Sequence, residues 1–409
     1  MTAARTSVAT AAMLGVLWTA APAAAQQDAA RQATDAEGKP EAGPDWIDAE
    51  IHGLVATSFF WNSRPLANAD APVAALGGGA SSLGATSRQS RIGARVGVPA
   101  VARALHASAL EVVAEVDFLG GYYADDDVTF SMGHPRLRLF HGRAEWHDVA
   151  VVAGQDWVPF APLNPVSLVH VAVAGFQGAG NAWSRLPQLR GELSMGGATL
   201  AIAALAPVSS GPVGPSAEGP TVVRTPGAAD RSQTPSVQSR LAWAFDVDDR
   251  ELVVGASGHW GRERARFGDP PQASTADAWG VALDAELPLL SWLAVRGEVL
   301  AGANLDGFFV DADLVRGEPV PVVGGWGQVS VTAGPLELHA AGGLEDPRAP
   351  QGESLPDGAI TKNAAFYGML AGRADTLRAG LEVSHLWTER WRTGRVSGTQ
   401  VALGLVLGF

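Results

Sequence analysis

The sequence predicts an all-β fold, a transmembrane antiparallel β-barrel of 16 strands with one long loop folded inward as a constriction. Three observations carry this expectation. First, residues 398–409 read G-T-Q-V-A-L-G-L-V-L-G-F. Val401, Leu403, Leu405, Leu407 and Phe409 fall on one parity, and Gln400, Ala402, Gly404 and Gly408 on the other, the period of a strand with one apolar face. Twelve residues at about 3.3 Å each, tilted by roughly 40°, rise about 30 Å, enough to cross the apolar band of an outer-membrane barrel. Second, sixteen runs of this kind follow Trp46: 47–60, 88–99, 109–119, 135–146, 148–157, 188–196, 198–206, 237–246, 251–261, 278–288, 291–302, 324–333, 335–344, 363–373, 376–387 and 398–409. Third, the connections alternate in length. Tight turns at 147–148, 196–197, 247–250, 288–290, 334–335 and 374–375 take turns with long Gly-, Pro- and Asp-rich segments at 61–87, 120–134, 158–187, 207–236, 262–277, 303–323, 345–362 and 388–397. Short turns at one end and long loops at the other are the outer-membrane pattern, with turns and termini on the periplasmic side.

Before the first run, residues 1–25 read as a secretory signal: Arg5, an apolar run from Val8 to Ala21, and Ala23-Ala24-Ala25 ahead of Gln26. Residues 26–45 are rich in Ala, Gln, Asp and Glu and read as a flexible periplasmic tail, leaving 46–409 for the barrel. No later segment has eighteen consecutive apolar residues, so a helical membrane protein is excluded although 47% of residues are hydrophobic. With no cysteine, the chain has neither disulfides nor thiolate sites. A formal charge of −13, or −14 once Arg5 leaves with the signal, argues against a nucleic-acid partner. Lys39 and Lys362 are the only lysines; the arginine excess suits carboxylate or phosphate ligands, and codon bias would give the same skew.

Strand parity separates a lipid face from a lumen face. Ile92, Ala94, Val96 and Val98 oppose Arg91, Gly93 and Arg95, while Val112, Val116 and Phe118 oppose Glu111, Glu115 and Asp117. Similar splits set Leu189 and Leu193 against Arg190, Leu241 and Trp243 against Gln238 and Arg240, and Leu283 and Leu287 against Asp284 and Glu286. Further on, Val295 and Val299 oppose Arg296 and Glu298, and Leu381 and Val383 oppose Arg378, Glu382 and Ser384. In the run 135–146, Leu137 and Leu139 disagree in parity with Phe140 and Trp146, so its facing stays open. Aromatics gather at strand ends: Phe59, Phe60, Trp61, Phe118, Trp146, Trp157, Trp243, Phe245, Trp260, Trp279, Trp292, Trp387 and Phe409. Interfacial girdles place them so, as ordinary core packing also could.

The constriction is expected from the third long loop, 158–187, whose Phe160, Leu163, Phe176 and Trp183 would be wasted in water. An anion track of Arg91, Arg95, Arg136, Arg138, Arg190 and Arg240, with Arg185 at the loop's end, is expected to face an acidic wall. That wall comprises Glu111, Glu115, Asp117, Asp284, Glu286, Glu298, Glu337 and Glu382. Such a transverse field favours small anions such as carboxylates, whereas mutual pairing across strands would leave little selectivity. Asp125, Asp126 and Asp127, and Asp306, Asp311 and Asp313, could offer oxygens to Ca²⁺, but without a glycine-spaced ligand pattern they read as solvated loop acids, so no metal and no cofactor are expected.

Four segments carry a family resemblance: Ser90-Arg91-Ile92-Gly93, Glu115-Val116-Asp117-Phe118, Leu137-Arg138-Leu139-Phe140-His141-Gly142 and Gly154-Gln155-Asp156-Trp157. In their order and spacing the chain resembles the DcaP-like porins of proteobacterial outer membranes. The resemblance implies a homotrimeric sixteen-stranded porin, embedded among outer-membrane lipid and lipopolysaccharide, that passes small hydrophilic, preferentially anionic solutes by passive diffusion. The segment 26–45 is too short for the periplasmic coiled coil of some members, so a trimer would rest on barrel contacts. An enzyme is not expected: no G-x-S-x-G or H-E-x-x-H occurs, and Ser384 and His385 point to opposite strand faces. A barrel enzyme with a site assembled from distant residues, a hydrophobic-solute transporter and a soluble secreted binding protein remain the alternatives.

Overall fold

A computed structural model describes residues 47–120, 133–207, 227–267, 272–308, 319–351, 355 and 357–409. The signal and tail segments, and Asp125, Asp126, Asp127, Asp311 and Asp313, lie outside the described residues.

The strands are β1 (Asp48–Asn62), β2 (Leu66–Ala67), β3 (Ala74–Ala75), β4 (Ser82–Thr86), β5 (Arg91–Gly97), β6 (Ala109–Gly120), β7 (His134–Trp146), β8 (Val149–Trp157), β9 (Arg185–Met195) and β10 (Ala198–Leu205). They continue as β11 (Ser236–Val247), β12 (Arg250–Phe267), β13 (Gln272–Leu290), β14 (Leu293–Ala303), β15 (Pro321–Ala333), β16 (Leu336–Pro347), β17 (Ile360–Ala374), β18 (Leu377–Arg390) and β19 (Gly394–Gly408). Each strand from β5 onward pairs antiparallel with the next, and β19 closes on β1 through the register Leu54↔Gly408 to Asn62↔Gln400. The short β4 also pairs with β1, so β4 and β5 form the two halves of one wall strand, and the closed barrel has 16. Closure leaves no sheet edge and satisfies every ladder donor and acceptor within the wall.

Side-chain period decides which face meets lipid. On β19, Leu403, Leu405 and Leu407, with Phe409 just beyond it, are exposed while Gln400 and Ala402 are 1% exposed, facing the filled interior. The same apolar-outward parity holds for Leu189 and Leu193, for Leu241, Trp243 and Phe245, for Val281 and Leu283, and for Leu381 and Val383. Of the strand-end aromatics, Phe59, Trp61, Trp243, Trp260, Trp279 and Trp292 lie exposed on the outside, but Phe60 turns inward, 8% exposed, against Ala71, Val169 and Ala402.

Several boundaries differ from the sequence expectation, each for a physical reason. The run 88–99 is not one strand: the chain leaves the ladder at 87–90, which turns Arg88 and Gln89 into the interior, 8% and 3% exposed. The segment 262–277, expected as a loop, continues β12 and β13 as a ladder from Arg262↔Asp277 to Phe267↔Gln272. Where neither face meets lipid, polar residues on both parities, such as Arg262, Glu263 and Arg264, hide the strand period. Between β5 and β6 a short helix, Pro99–Ala104, occupies a turn that showed no signal beyond Pro99. The open register of 135–146 is settled by a bulge. Glu115 pairs with Leu139 and Val116 with Leu137, so Arg138 is the extra residue, and Arg138 and Leu139 both point inward between the exposed Leu137 and Phe140.

Among the described residues the lumen holds two inward loops, not one. Residues 63–81 carry the β2–β3 hairpin inside the wall: Asn363 Nδ2 donates to Val73 O at 2.8 Å, the Ala75 amide to Thr388 Oγ1 at 2.9 Å and Gln400 Nε2 to Ala69 O at 2.8 Å. Residues 158–184 form the second. A third inward contribution comes from the turn Asp306–Phe308, whose Phe308 is 1% exposed; Asp306 is buried beside it, accepting from the Gly307 amide at 2.9 Å, and is not the solvated acid expected.

Candidate functional site

An apolar loop inside a barrel must find partners for its own backbone, because buried N–H groups left unpaired cost free energy comparable to a lost hydrogen bond. The wall supplies them from inward-facing side chains, in sequence order around the circumference. The Phe160 amide donates to Gln238 Oε1 on β11 (3.0 Å), the Ala161 amide to Ser257 Oγ on β12 (3.2 Å), and the Leu163 amide to Glu298 Oε1 on β14 (2.6 Å). Next, the Val166 amide reaches Gln328 Oε1 on β15 (2.9 Å), and the Leu168 amide reaches Glu382 Oε2 on β18 (2.9 Å). Finally the amides of Val171 and Ala172 share Gln89 Oε1, each at 3.0 Å, in the break between β4 and β5. The loop therefore lines the wall from β11 round to β5.

Glycines make room for it. A Cβ on Gly280 would meet Phe160 Cζ at 2.7 Å, one on Gly343 would meet Ala179 O at 2.4 Å, and one on Gly404 would meet Leu168 Cβ at 2.6 Å. Gly180 sits at φ +101°, its open Cα side against Gly325, a position only glycine fills without strain. Aromatics complete the seat: Phe176 stacks on Tyr367 at 5.2 Å and on Trp326 at 6.1 Å, and Phe160 meets Phe308 edge-on at 5.6 Å. Phe160, Leu163, Phe176 and Trp183 are all at most 4% exposed.

The seat changes the electrostatic picture. Glu298 and Glu382, expected in an open acidic wall, are taken up by the loop: Glu298 also accepts from Trp326 Nε1 at 3.1 Å, and Glu382 from Ser167 Oγ at 2.8 Å. Most of the expected track arginines pair with carboxylates of neighbouring strands. Arg95 lies 3.2 Å from Glu111, Arg190 2.8 Å from Asp156 and 2.7 Å from Glu192, and Arg240 2.6 Å from Asp284; Arg296 pairs with Glu286. Arg143 bridges Glu145 and Glu192, each at 2.7 Å, and Glu337 is shared by Arg378 at 2.8 Å and Arg373 at 3.7 Å. Cation track and acidic wall are thus interleaved as cross-strand pairs around most of the circumference.

One sector gathers four arginines. Arg138 Nε donates to Glu115 Oε1 at 2.5 Å and its NH1 to Asp117 Oδ2 at 3.0 Å. Arg136 grips Asp117 at 3.0 and 2.6 Å, and Arg91 Nε lies 3.5 Å from Glu115. Arg185 completes the group through the electrostatic reach of Arg136, Arg138, Asp117 and Glu115, but it has no carboxylate within ion-pair distance among the described residues. Its guanidinium is framed by the Trp157 and Trp183 rings at 4.9 and 5.0 Å. Among the described residues four arginines therefore meet two carboxylates, a surplus of two positive charges. Arg136 and Arg138 also reach the loop, donating to Ala172 O at 3.4 and 3.3 Å.

Sequence reading missed Gln89, Arg88 and Asp70, because the strand break inverts parity there; Arg88 pairs with Asp70 and donates to Asn68 Oδ1 at 2.6 Å. It also missed Arg143 and Arg373, whose inward parity was visible in the flanking apolar residues, whereas Arg378 takes the lumen face its parity predicts. His339, isolated in sequence, sits opposite Ser330 with Oγ–Nδ1 at 2.8 Å, but the carboxylate beside it, Glu337, is held by two arginines.

No protein-family model and no curated protein matches the chain. Solved structures do match it. The outer membrane channel DcaP of Acinetobacter baumannii is 15% identical with a TM-score of 0.67, covering 91% of this chain and 100% of its own. An anion-selective porin from Comamonas acidovorans is 13% identical with a TM-score of 0.56, covering 89% and 100%. OmpT of Vibrio cholerae is 12% identical with a TM-score of 0.54, covering 90% and 99%. At these identities the likeness is one of fold, and the fold is that of an outer-membrane β-barrel.

Proposed function

We propose that this sixteen-stranded barrel of the outer-membrane porin type is a channel for passive diffusion of small hydrophilic solutes across the bacterial outer membrane, with a preference for anions such as small carboxylates. The observation that carries the reading is the sector where Arg91, Arg136, Arg138 and Arg185 outnumber Glu115 and Asp117 against the inward loop. Elsewhere the interior arginines lie against carboxylates, and Glu298 and Glu382 are held by loop donors, so the reading takes the field a permeating ion meets to be set chiefly by this surplus. The Comamonas acidovorans porin of the same fold is anion-selective, which supports the reading. An anionic carboxylate would find guanidinium forks already oriented by Glu115 and Asp117, and a cation would meet repulsion without a free acid to offset it.

The loop makes the restriction. Pinned round the wall at six side chains, it narrows the lumen without needing to move, and diffusion proceeds without a bound cofactor or a chemical step. Assembly as a homotrimer through barrel contacts, with lipopolysaccharide at the outer rim, belongs to the same proposal. Liposome swelling tests it: proteoliposomes should admit small dicarboxylates faster than diamines of equal size. Equal rates would remove the anion preference, and no swelling with any small solute would remove the channel. A barrel enzyme would instead turn over substrate without swelling.

A further inference from the structure

Two histidines of the inward wall border the arginine-rich sector, each beside a carboxylate that an arginine already holds. His52 on β1 places Nε2 4.0 Å from Glu115 Oε2, and Glu115 also faces Arg138 and Arg91. Gly93 makes room for that ring, since a Cβ there would lie 2.6 Å from His52 Nε2. His141 on β7 places Nδ1 3.7 Å from Asp156 Oδ1, while the other oxygen of Asp156 takes Arg190 at 2.8 Å. Both His141 Nδ1 and Asp156 Oδ1 are buried without a hydrogen-bond partner, and so is His52 Nδ1. Such unmade bonds cost free energy, and a proton on His141 Nδ1 would give that nitrogen and the oxygen facing it each other as partners.

The surroundings fix the sign of the effect. The charged groups facing His52 are Glu50 on its own strand, Arg91 and Arg95 on β5, and Glu115 on β6, two of each sign. Around His141 stand Arg138 and Arg143 on its own strand, Glu111 and Glu115 on β6, Asp156 on β8 and Arg190 on β9, three of each sign. Residues 158–184 of the loop add no Asp, Glu, Lys or Arg. Each set balances, so a protonated ring adds a full positive charge.

We propose that His52 and His141 are specificity-determining residues of the channel, cations made by protonation that strengthen its preference for small anions as pH falls. The proposal rests on the anion reading above and adds the regulation of that same sector. Histidine changes charge between about pH 5 and pH 8, where the arginines beside it stay charged. Two protonated rings would turn the sector's surplus of two into four. Fixed charges in a narrow passage with low-dielectric walls act on every ion that passes. The logarithm of the anion-to-cation permeability ratio therefore follows the surplus, and with both rings protonated the ratio should approach roughly the square of its value with both neutral.

Reversal potentials of the purified protein in a planar bilayer, under a potassium chloride gradient at about pH 8 and about pH 5, test it. The wild type should be chloride-selective at both and more so at the lower pH, the permeability ratio rising toward its square. The double variant His52→Gln, His141→Gln should lose most of that rise, and each single variant about half of it. His52→Lys, charged at both pH values, should bring part of the rise to the higher pH. His385→Gln, on the outer face where the ring meets Thr399 Oγ1 at 2.9 Å, should keep the full rise. Heat-modifiable migration verifies that each variant folds. A ratio that does not rise on acidification overturns the proposal, since both rings would then stay neutral, with His141 Nδ1–H meeting Asp156 uncharged. A rise of equal size in the double variant also overturns it and assigns the response to carboxylates. Cation selectivity at both pH values counts against the anion reading itself, whereas chloride selectivity without pH dependence counts against the histidines alone.

Discussion

Replacing Glu382 by alanine removes the anchor on which the far arc of the inward loop hangs. Its carboxylate accepts from two donors, the Leu168 amide at 2.9 Å and Ser167 Oγ, which spans both oxygens at 3.0 and 2.8 Å. Hydrogen bonds to a charged acceptor contribute about 1.5 kcal/mol each at the low end, so two donors make about 3 kcal/mol, and both donors would be left in a site where Glu382 is 1% exposed. At 1.4 kcal/mol per tenfold, local opening of the 166–170 segment should become about 150-fold more frequent. Hydrogen–deuterium exchange on folded protein in detergent reads this directly: peptides covering Leu168 should lose protection by roughly that factor. Peptides around Phe160 and Ala161, held by Gln238 and Ser257, should change little. Glu382→Gln, which keeps an acceptor for the amide, should show a smaller loss, about tenfold. Unchanged exchange at Leu168 in the alanine variant would refute the claim that wall side chains, and not loop packing alone, hold the constriction.

Further expectations concern charge, lipid contact and pH. Arg185→Glu turns four arginines against two carboxylates into three against three, and the permeability ratio of anion to cation in a planar bilayer should fall toward unity. Leu405→Arg, in the middle of the exposed row on β19, should cost about 2–4 kcal/mol in folding equilibria measured in lipid vesicles. Burial in the loop lowers the His170 pKa to about 4, with Asp70 opposing, and leaves its Nδ1 without a hydrogen-bond partner. With the folded value below the unfolded one, the neutral ring's contribution is complete above about pH 6.5 and is lost as pH falls toward 4. Protection factors in the 166–173 segment, taken against the intrinsic rate at each pH, should therefore fall between pH 6.5 and pH 4, and His170→Asn should flatten that fall.

The wall was largely legible in the sequence because lipid enforces a strict parity. A strand such as β19, apolar at every second residue, has only one way to face, and fifteen of the sixteen runs follow wall strands, the run 88–99 keeping only the β5 part of its span. Inside the barrel that rule relaxes. Arg88 and Gln89 point inward only because the chain leaves the ladder at 87–90, and Arg138 and Leu139 share a face only through a bulge. Neither event has a glycine or proline to announce it. The inward course of 158–184 could be read from its apolar residues, but its anchors could not: Gln238, Gln328 and Glu382 look like pore lining until the loop amides are found upon them. The same holds for charge. Sequence alone shows arginines early and carboxylates late, and only register shows Arg240 beside Asp284 and Arg190 beside Asp156, which moves the selectivity question to the few arginines left in surplus.

The most direct measurement of the central claim is the reversal potential of the purified protein in a planar bilayer under a potassium chloride gradient. With two surplus positive charges at the constriction, the zero-current potential should take the sign of chloride selectivity and shrink as ionic strength rises and screening shortens. A potential of the opposite sign, or a conductance that shows no dependence on Arg91, Arg136, Arg138 and Arg185 when all four are replaced by glutamine, would contradict it.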